Sequence, residues 1–491
     1  MHALIIDLNN FSRYPTLSVG YLTAILRGNN TSVDVLSPFS KGVKSYPRTI
    51  KARKHELILN YLKYWSAVTP NKFIYFLRKI LKRNNQVGQN TDKEIILTHF
   101  KQFLANGPDI VLISTYTMYL DICQEISRIC FTKNIPVIIG GSIFVDPNIA
   151  KLWSSLEGVS AIYAGEPEFH LNAMINELIQ KKQISTNSGV YIKETSSHQL
   201  APPLSPLDKL PFPDFSDFPW GLYPNKIIPI MTGRGCHWDI CTFCSDVTTA
   251  SGRSYRSRGI DNVIDEIKYQ SKQFDSNLIA FLDLKLNSNV TLWRELISTI
   301  PSIVPNAQWT ASIHVDTRTE NGLSRKDLFK AREAGLVRLT FGLESGSPKV
   351  LKSMAKGIKL QKTSTFLKDA SDAGISIRVT CIIGYPGEKP EDIDLTTKFI
   401  SAHFQYIERI VLNRFTLMPS TPIHTLLKAQ PQDFPEIQLN EIDLSSGVIP
   451  HTNNNLSTLS YYKSTFRLMK AIHKINQNPL MESASEFEGV M

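Results

Sequence analysis

Cys236, Cys241 and Cys244 fall within nine residues, in the stretch TGRGCHWDICTFCSD (232–246), of a chain whose other cysteines are the scattered Cys123, Cys130 and Cys381. Six cysteines in 491 residues do not make a disulfide scaffold, and a reducing compartment keeps such thiols available as thiolates. Metal or redox chemistry is the consequence. Three thiolates from one short loop can bind three irons of a cubane cluster and leave the fourth iron open to substrate or cofactor. The competing reading is a zinc site completed by His237. It is the weaker one, because His237 adjoins Cys236 and gives an awkward bite.

A loop of this kind needs rigid elements behind it. From residue 226 the chain alternates apolar strand patterns with helices: KIIPIMTG (226–233), a helix over 260–273, NLIAFLDLKL (277–286), a helix over 291–300, QWTASIHV (308–315), and a helix over 324–334. LVRLTFGLES (336–345), ISIRVTCIIG (375–384) and RIVLNRFTL (409–417) follow, separated by helices over 361–373 and 390–402. In the first helix Ile260, Val263, Ile264 and Ile267 form the stripe that packs against a sheet. Six strand-helix turns predict a partial (β/α)6 barrel over 226–428. In barrels chemistry gathers at the carboxyl ends of the strands, and the cysteine triplet begins just past the end of the first.

The triplet resembles the radical S-adenosylmethionine (SAM) superfamily, whose usual motif is CX3CX2C with an aromatic residue before the last cysteine. Cys236, Cys241, Phe243 and Cys244 match it with one residue extra in the first gap, CX4CX2C. A loop can absorb that insertion without losing a ligand. FLDLKL, KAREAGLVRLTFGLESGSPKVLKSMAKG, IIGYPGEKPEDI and LMPSTPIH continue the resemblance in the family's order, over roughly 226–425. The resemblance implies a [4Fe-4S] cluster on Cys236, Cys241 and Cys244 whose unique iron binds SAM, and cleavage of SAM by one electron to a 5′-deoxyadenosyl radical. It implies that Phe243 lies by the adenine, that Glu344 hydrogen-bonds the ribose, that Asp283 and Leu284 face the methionine amino group, and that Ile383 and Gly384 wall the adenine. Arg378 is chemically suited to the methionine carboxylate, or equally to a buried acid. His314 stands where related proteins often carry Arg, and reads as an ordinary buried, hydrogen-bonded histidine in preference to a pH-sensitive substrate contact.

The first 200 residues read as a doubly wound, Rossmann-like α/β domain: HALIIDL (2–8), SVDVLSP (32–38), PDIVLIST (108–115), IPVIIGGS (135–142) and VSAIYAGEPE (159–168) are strand patterns separated by helices. Several end in small or polar residues, and open parallel sheets bind ligands beyond those ends. No GxGxxG is present, so a dinucleotide is not favoured. Beside the barrel, TLSVGYLTAIL, PDIVLIST, IPVIIGGS and VSAIYAGEPEF resemble the cobalamin-binding domain of the cobalamin-dependent radical SAM branch. That resemblance makes Ser114, Thr115, Thr117, Gly140, Gly141, Ser142, Gly165 and Glu166 cobalamin contacts. The DxHxxG signature is absent, which in this branch implies a corrin held by loops and unligated by histidine. The activity implied is cobalamin-dependent C-methylation of an unactivated carbon; a radical cyclisation or rearrangement without methyl transfer is the alternative. Either needs an external electron donor of the flavodoxin or ferredoxin class and acts on a small-molecule, peptide or carrier-bound substrate.

The Pro- and aromatic-rich stretch 201–225 reads as a linker lying over a surface, and 429–491 as a small helical extension, with one helix over 458–476 and a disordered acidic tail, ESASEFEGVM. No stretch approaches the 18 to 20 apolar residues of a membrane span and the amino terminus lacks a signal-peptide pattern, so a cytoplasmic protein is expected. The net charge of +10 is local: residues 41–83 hold twelve Lys or Arg against Glu56 alone, 12 − 1 = +11, leaving the remainder near −1. This basic insertion, taken as 41–95, is expected to form two helices broken at Thr69-Pro70. It is a solvated face or the docking site of an anionic substrate, carrier or lipid surface. A last reading, of another class, makes the chain an RNA- or lipid-binding protein with a structural cluster. The tRNA methylthiotransferases resemble the barrel too, but their first domain carries its own cysteine triplet. Here it has only Cys123 and Cys130, on a predicted helix.

Overall fold

A computed structural model describes the chain except residues 46–50, 54, 70, 182–183, 186–187, 195–198, 247–254, 443–445 and 491, and except the side chains of 72, 75 and 78–91. In the amino-terminal part β1 (His2–Asp7), α1 (Leu17–Gly28) and β2 (Ser32–Leu36) precede two helices, α2 (Glu56–Val68) and α3 (Lys72–Leu104). The alternation resumes with β3 (Ile110–Ser114), α4 (Leu120–Thr132), β4 (Val137–Gly140), α5 (Pro147–Ser154), β5 (Ala161–Tyr163), α6 (Leu171–Asn176) and β6 (Val190–Tyr191). The sheet order is β2-β1-β3-β4-β5-β6, parallel except for β6. Apolar residues fill both faces: Ala3, Ile5, Leu112 and Ile138 on one, and Leu4, Ile6, Val111, Ile113 and Ile139 on the other. Such two-sided burial is why these strands read as unbroken Val/Ile/Leu runs. Cys123 and Cys130 lie in the second of these layers.

The second part opens with β7 (Ile227–Ile230), a short antiparallel ladder of β8 (Gly233–Arg234) and β9 (Arg256–Ser257), and α7 (Ile260–Phe274). It continues as β10 (Leu278–Phe281), α8 (Val290–Ile303), β11 (Gln308–Ile313), α9 (Arg325–Glu333), β12 (Leu336–Glu344), α10 (Pro348–Ser353), α11 (Leu360–Asp372), β13 (Ser376–Ile383), α12 (Pro390–Ala402) and β14 (Arg409–Arg414). The six parallel strands lie in the order β7-β10-β11-β12-β13-β14. This is a partial barrel. Then come α13 (Pro422–Ala429), the hairpin of β15 (Ile437–Leu439) and β16 (His451–Asn453), and α14 (Leu459–Ile475), which packs on α12.

The stretch 201–225 is extended and anchored by apolar side chains. Phe215 lies over Gly20 of α1, where a Cβ would stand 2.4 Å from its ring, and Leu204, Leu207, Leu210 and Tyr223 join the same core. α2 ends at Val68 and α3 starts at Lys72, while the Pro70 of the expected break lies outside the described residues; α3 runs on to Leu104, past the expected limit of the insertion.

The carboxyl-terminal tail corrects an expectation. Its described residues are ordered: Ala484 and Phe487 are fully buried and Val490 nearly so, packed with Ile227, Ala280 and Val337 at the amino ends of the barrel strands. An acidic, polar composition concealed this, because three apolar side chains are enough to seat a short segment whose carbonyls receive buried arginines. Arg338 donates to the carbonyls of Ala484 (2.8 Å) and Phe487 (2.6 Å).

Candidate active site

The cysteine loop leaves the carboxyl end of β7, and a carboxylate on the next strand holds its root. Asp283, two residues past β10, accepts from the Thr232 amide (3.1 Å) and hydroxyl (2.7 Å). Burial pushes Asp283 up to about 6, against these hydrogen bonds. Cys236, Cys241 and Cys244 are all free thiols, Cys241 buried and the others half-buried. Burial raises the Cys241 thiol, and Lys356 and Lys285 pull it back towards thiolate.

Those two lysines are the feature that motif reading missed. Lys285 hydrogen-bonds Cys236 and lies 2.9 Å from His314 Nδ1, with Trp238 beneath it at 5.9 Å. Burial lowers its pKa and the Cys236 thiol opposes that. Lys356 pairs with Glu344 at 2.9 Å and stands 5.6 Å over the Phe243 ring. Burial disfavours its charge, but Glu344, Cys241 and Cys244 outweigh it and hold the pKa up. His314 is buried against Trp238 (5.4 Å between rings) and is driven down to about 2 by burial and then by the two lysine charges. It is a neutral packing residue here. Lys285 directly follows Leu284 in FLDLKL, so a search for cations near the strand ends could have found it.

The donor set therefore consists of three unoxidised thiols with two ammonium groups to support their deprotonation, which fits an anionic iron-sulfur cluster. Among the described residues no three His, Cys, Asp or Glu side chains converge on one point as a single ion requires. A cubane asks less of the loop, because each thiolate serves a different iron.

Glu344 ends β12 with φ of +62° after a register shift, which turns its carboxylate back towards Lys356 and Thr380. Ile383 closes β13 inside the barrel core, and Gly384, at φ +86°, donates its N–H to Glu388 (2.7 Å). Phe243 is half-buried against the cluster of Val350, Met354 and Tyr385. Leu284 is exposed to a cavity described below.

Arg378 is not part of this group: of the two partners its chemistry suits, the structure places it by a buried acid and not at the methionine end. It precedes Ile383 by five residues, about 16 Å along a strand, and so lies at the opposite end of the barrel. There it donates to the Val490 carbonyl (2.6 Å) and approaches Glu408 at 4.0 Å.

A cavity of about 440 Å³ lies between the carboxyl ends of the two sheets. One wall includes Asn9, Ser114, Thr115, Gly140, Gly141 and Ser142; the other includes Met231, Gly233, Arg234, Gly235, Leu282 and Leu284. Asp246, two residues after Cys244, also lines it, so the space reaches the cysteine loop. A Cβ on Gly140 would meet nothing within 4 Å, which leaves room for a ligand, whereas one on Gly141 would stand 2.4 Å from the Thr115 carbonyl. The size and mixed lining suit a small-molecule cofactor.

Of the other three residues expected on this shelf, Thr117 is engaged elsewhere, while Gly165 and Glu166 line the cavity and also make contacts behind it. Thr117 donates to the Ser446 carbonyl (3.1 Å) and does not line the cavity. Gly165 does line it, but its φ of +138° and a Cβ position 2.6 Å from Ala201 make glycine necessary for chain packing. Glu166 accepts from Arg256 at 2.7 and 3.0 Å and from the Leu204 amide at 2.6 Å, and pairs with Arg234 at 3.3 Å. Burial alone would raise its pKa; Arg256 and Arg234 outweigh burial and hold it below the usual carboxylate range. With Glu168–Arg234 (2.6 Å), this network ties the first sheet to the root of the cysteine loop.

Residues 230–400 match the radical SAM superfamily. An uncharacterised methyltransferase of Pyrococcus horikoshii is 27% identical over 301 residues, 60% of this chain and 64% of the relative. Two solved structures share the fold over nearly the whole chain. The cobalamin-dependent SAM radical enzyme OxsB with aqua-cobalamin bound has a TM-score of 0.68 at 16% identity, covering 91% of this chain and 64% of its own. The radical SAM methyltransferase TsrM of Kitasatospora setae, solved with tryptophan and a SAM analogue, has a TM-score of 0.66 at 15% identity, covering 96% and 89%. The chain thus spans under two thirds of the length of the first two of these proteins. Among the described residues no helix is long and apolar enough to cross a membrane.

Proposed function

We propose that this chain, a radical SAM enzyme with the two-sheet fold of the cobalamin-dependent branch, is a C-methyltransferase acting on an unactivated carbon of a small-molecule, peptide or carrier-bound substrate. The observation that carries the reading is the cavity: it joins the strand ends of the first sheet to the cysteine loop of the second, so two cofactors would meet within one shared space. When bound, the cluster and SAM supply a carbon-centred oxidant and cobalamin supplies a methyl group.

The chain's own residues would do the positioning. Cys236, Cys241 and Cys244 would hold the cluster, with Lys285 and Lys356 offsetting its negative charge. Glu344 would hydrogen-bond a ribose hydroxyl of SAM through the oxygen facing Thr380, while Lys356 fixes the other. Phe243 would pack by the adenine, with Ile383 and Gly384 behind it, and Asp283 and Leu284 would border the methionine end. On the opposite wall Ser114, Thr115, Gly140, Gly141 and Ser142 would cradle the corrin, and Gly165 and Glu166 would border it at the end where they are tied to Ala201 and Arg256.

An acidic electron donor of the flavodoxin or ferredoxin class would dock on a groove of about 560 Å³ beside the loop, lined by Trp238, Ile240, Leu351, Lys352 and Lys359. Besides Lys356, which is paired with Glu344, residues 348–362 carry Lys349, Lys352, Lys359 and Lys362, all exposed, and no Asp or Glu, the complement such a donor needs. The reading is tested by supplying reductant and SAM to the holoprotein: methyl transfer requires S-adenosylhomocysteine and 5′-deoxyadenosine to form together. Formation of 5′-deoxyadenosine alone with a turned-over substrate would replace it by a rearrangement.

A further inference from the structure

Among the described residues the basic insertion supplies none of the side chains of the site described above, yet it carries their densest run of exposed large apolar side chains. Ile58, Leu59 and Leu62 on α2, and Phe73, Phe76 and Leu77 on α3, are between 40% and 65% exposed. They are six of the seventeen large hydrophobic side chains exposed among the described residues, gathered in twenty positions. Their spacings, i, i+1, i+4 and i, i+3, i+4, put each trio on one helix face. The other side of α2 is seated: Tyr61 stacks edge-on with Phe466 of α14 at 4.9 Å and donates to the Tyr462 carbonyl (3.3 Å), and ahead of the helix the Ala52 N–H donates to the Asn476 carbonyl (3.0 Å). The hairpin is therefore held firmly by one side while its other side offers apolar residues to the surroundings. Lys51, Arg53 and Lys63 are exposed beside them, within the segment that holds +11 of the chain's charge.

We propose that the α2–α3 hairpin docks the enzyme on an anionic lipid bilayer. Apolar side chains enter the headgroup and acyl boundary while the flanking cations meet lipid phosphates, and neither helix is apolar enough to span. A second copy of this chain is the poorer occupant, because two such faces would repel. RNA is the poorer occupant as well: phosphate binding needs the cations but gives no use to four exposed aliphatic side chains, Ile58, Leu59, Leu62 and Leu77, which cannot stack on bases as aromatic rings do.

The test is sedimentation of the full-length holoprotein with vesicles of phosphatidylglycerol and phosphatidylcholine against phosphatidylcholine alone. Binding to the anionic vesicles only, weakened by salt, is expected. The quadruple variant Leu59→Ser, Leu62→Ser, Phe73→Ser and Phe76→Ser alters only exposed side chains and is expected to weaken partition by about tenfold or more. The pair Arg53→Glu and Lys63→Glu should weaken it as well. No binding of the wild type to anionic vesicles overturns the proposal. So does binding that the serine variant leaves unchanged, and so does tighter retention of a random-sequence RNA, which would assign the hairpin to nucleic acid. SAM cleavage in solution is unaffected by these exposed changes, so the outcome is separable from the enzymatic reading.

Discussion

Replacing Glu166 by Ala would remove the carboxylate that joins the first sheet to the root of the cysteine loop. Glu166 is 10% exposed and its two arginines 12% and 11%, so all three charges are largely withdrawn from water. The substitution deletes two charge-assisted bonds to Arg256 and the pairing to Arg234. It also strands the Leu204 amide, while Arg234 keeps Glu168. Breaking a buried pair by removing one partner costs about 3–5 kcal/mol, most of it from the charge left behind. The internal control is Asp394, which pairs with Arg467 at 2.8 Å where both are about half exposed; Asp394→Ala should cost about 0–1 kcal/mol. Urea unfolding at neutral pH, compared between the two variants and the wild type, reads the difference. The pH dependence carries a second signature. Because Glu166 is held below its ordinary value of 4.5, its contribution is complete above that value and is lost as pH falls through the depressed folded value, so wild type and Glu166→Ala converge in acid. A Glu166→Ala midpoint no lower than that of Asp394→Ala would refute the assignment of this network as the tie between the two sheets.

Further predictions concern the site and its frame. Replacing Cys236, Cys241 and Cys244 together by Ala should abolish bound iron and reductive SAM cleavage; retained 5′-deoxyadenosine formation would sink the cluster assignment. Glu344→Gln should weaken SAM affinity, read by calorimetry, and spare iron content, whereas unchanged affinity removes Glu344 from the ribose. The pair Lys352→Glu and Lys359→Glu should raise the KM for reduced flavodoxin while dithionite-driven SAM cleavage is unchanged, and an unaltered KM would move the donor elsewhere. Phe487→Ala should destabilise by about 3–5 kcal/mol in urea, since Phe487 is fully buried at the foot of the barrel; a negligible change would return the tail to solvent. Burial pushes Glu388 up to about 7, against the Tyr461 hydroxyl and the Gly384 amide. The folded state therefore binds a proton that the unfolded chain has released between 4.5 and about 7, and stability falls as pH rises through that window. Glu388→Gln should flatten this slope, and a wild-type slope of opposite sign over the window would contradict it.

Both sheets were legible because their strands are apolar on two faces and their helices carry 3.6-residue stripes; α12 falls over Pro390–Ala402, the span its pattern predicts. Short elements were not. β8 and β9 are two residues each, and the β15–β16 hairpin lacks alternation strong enough to announce it. At the site, Cys236, Cys241 and Cys244 were visible as a spacing, and Ser114, Thr115, Gly140, Gly141 and Ser142 as strand ends, and these five do line one cavity. Lys285 and Lys356 escaped because nothing in a lone lysine distinguishes a solvated ammonium from one folded over a thiol. Arg378 stayed open between a methionine carboxylate and a buried acid for a related reason: its chemistry suits either, and only the strand register decides which end of the barrel it serves. Thr117 adjoins cavity-lining positions, and loop geometry turned it to Ser446; Glu166 lines the cavity while its carboxylate is committed to Arg256.

The central claim is that two cofactors share the space between the sheets, and the most direct test is to purify the chain without oxygen from cobalamin-supplied cells and quantify corrin, iron and sulfide together. About one corrin and about four irons per chain are predicted, with three cysteines and one open iron site as the cluster's attachment. About four irons with no corrin would contradict the claim, leaving the radical barrel intact and the first sheet a scaffold without its cofactor.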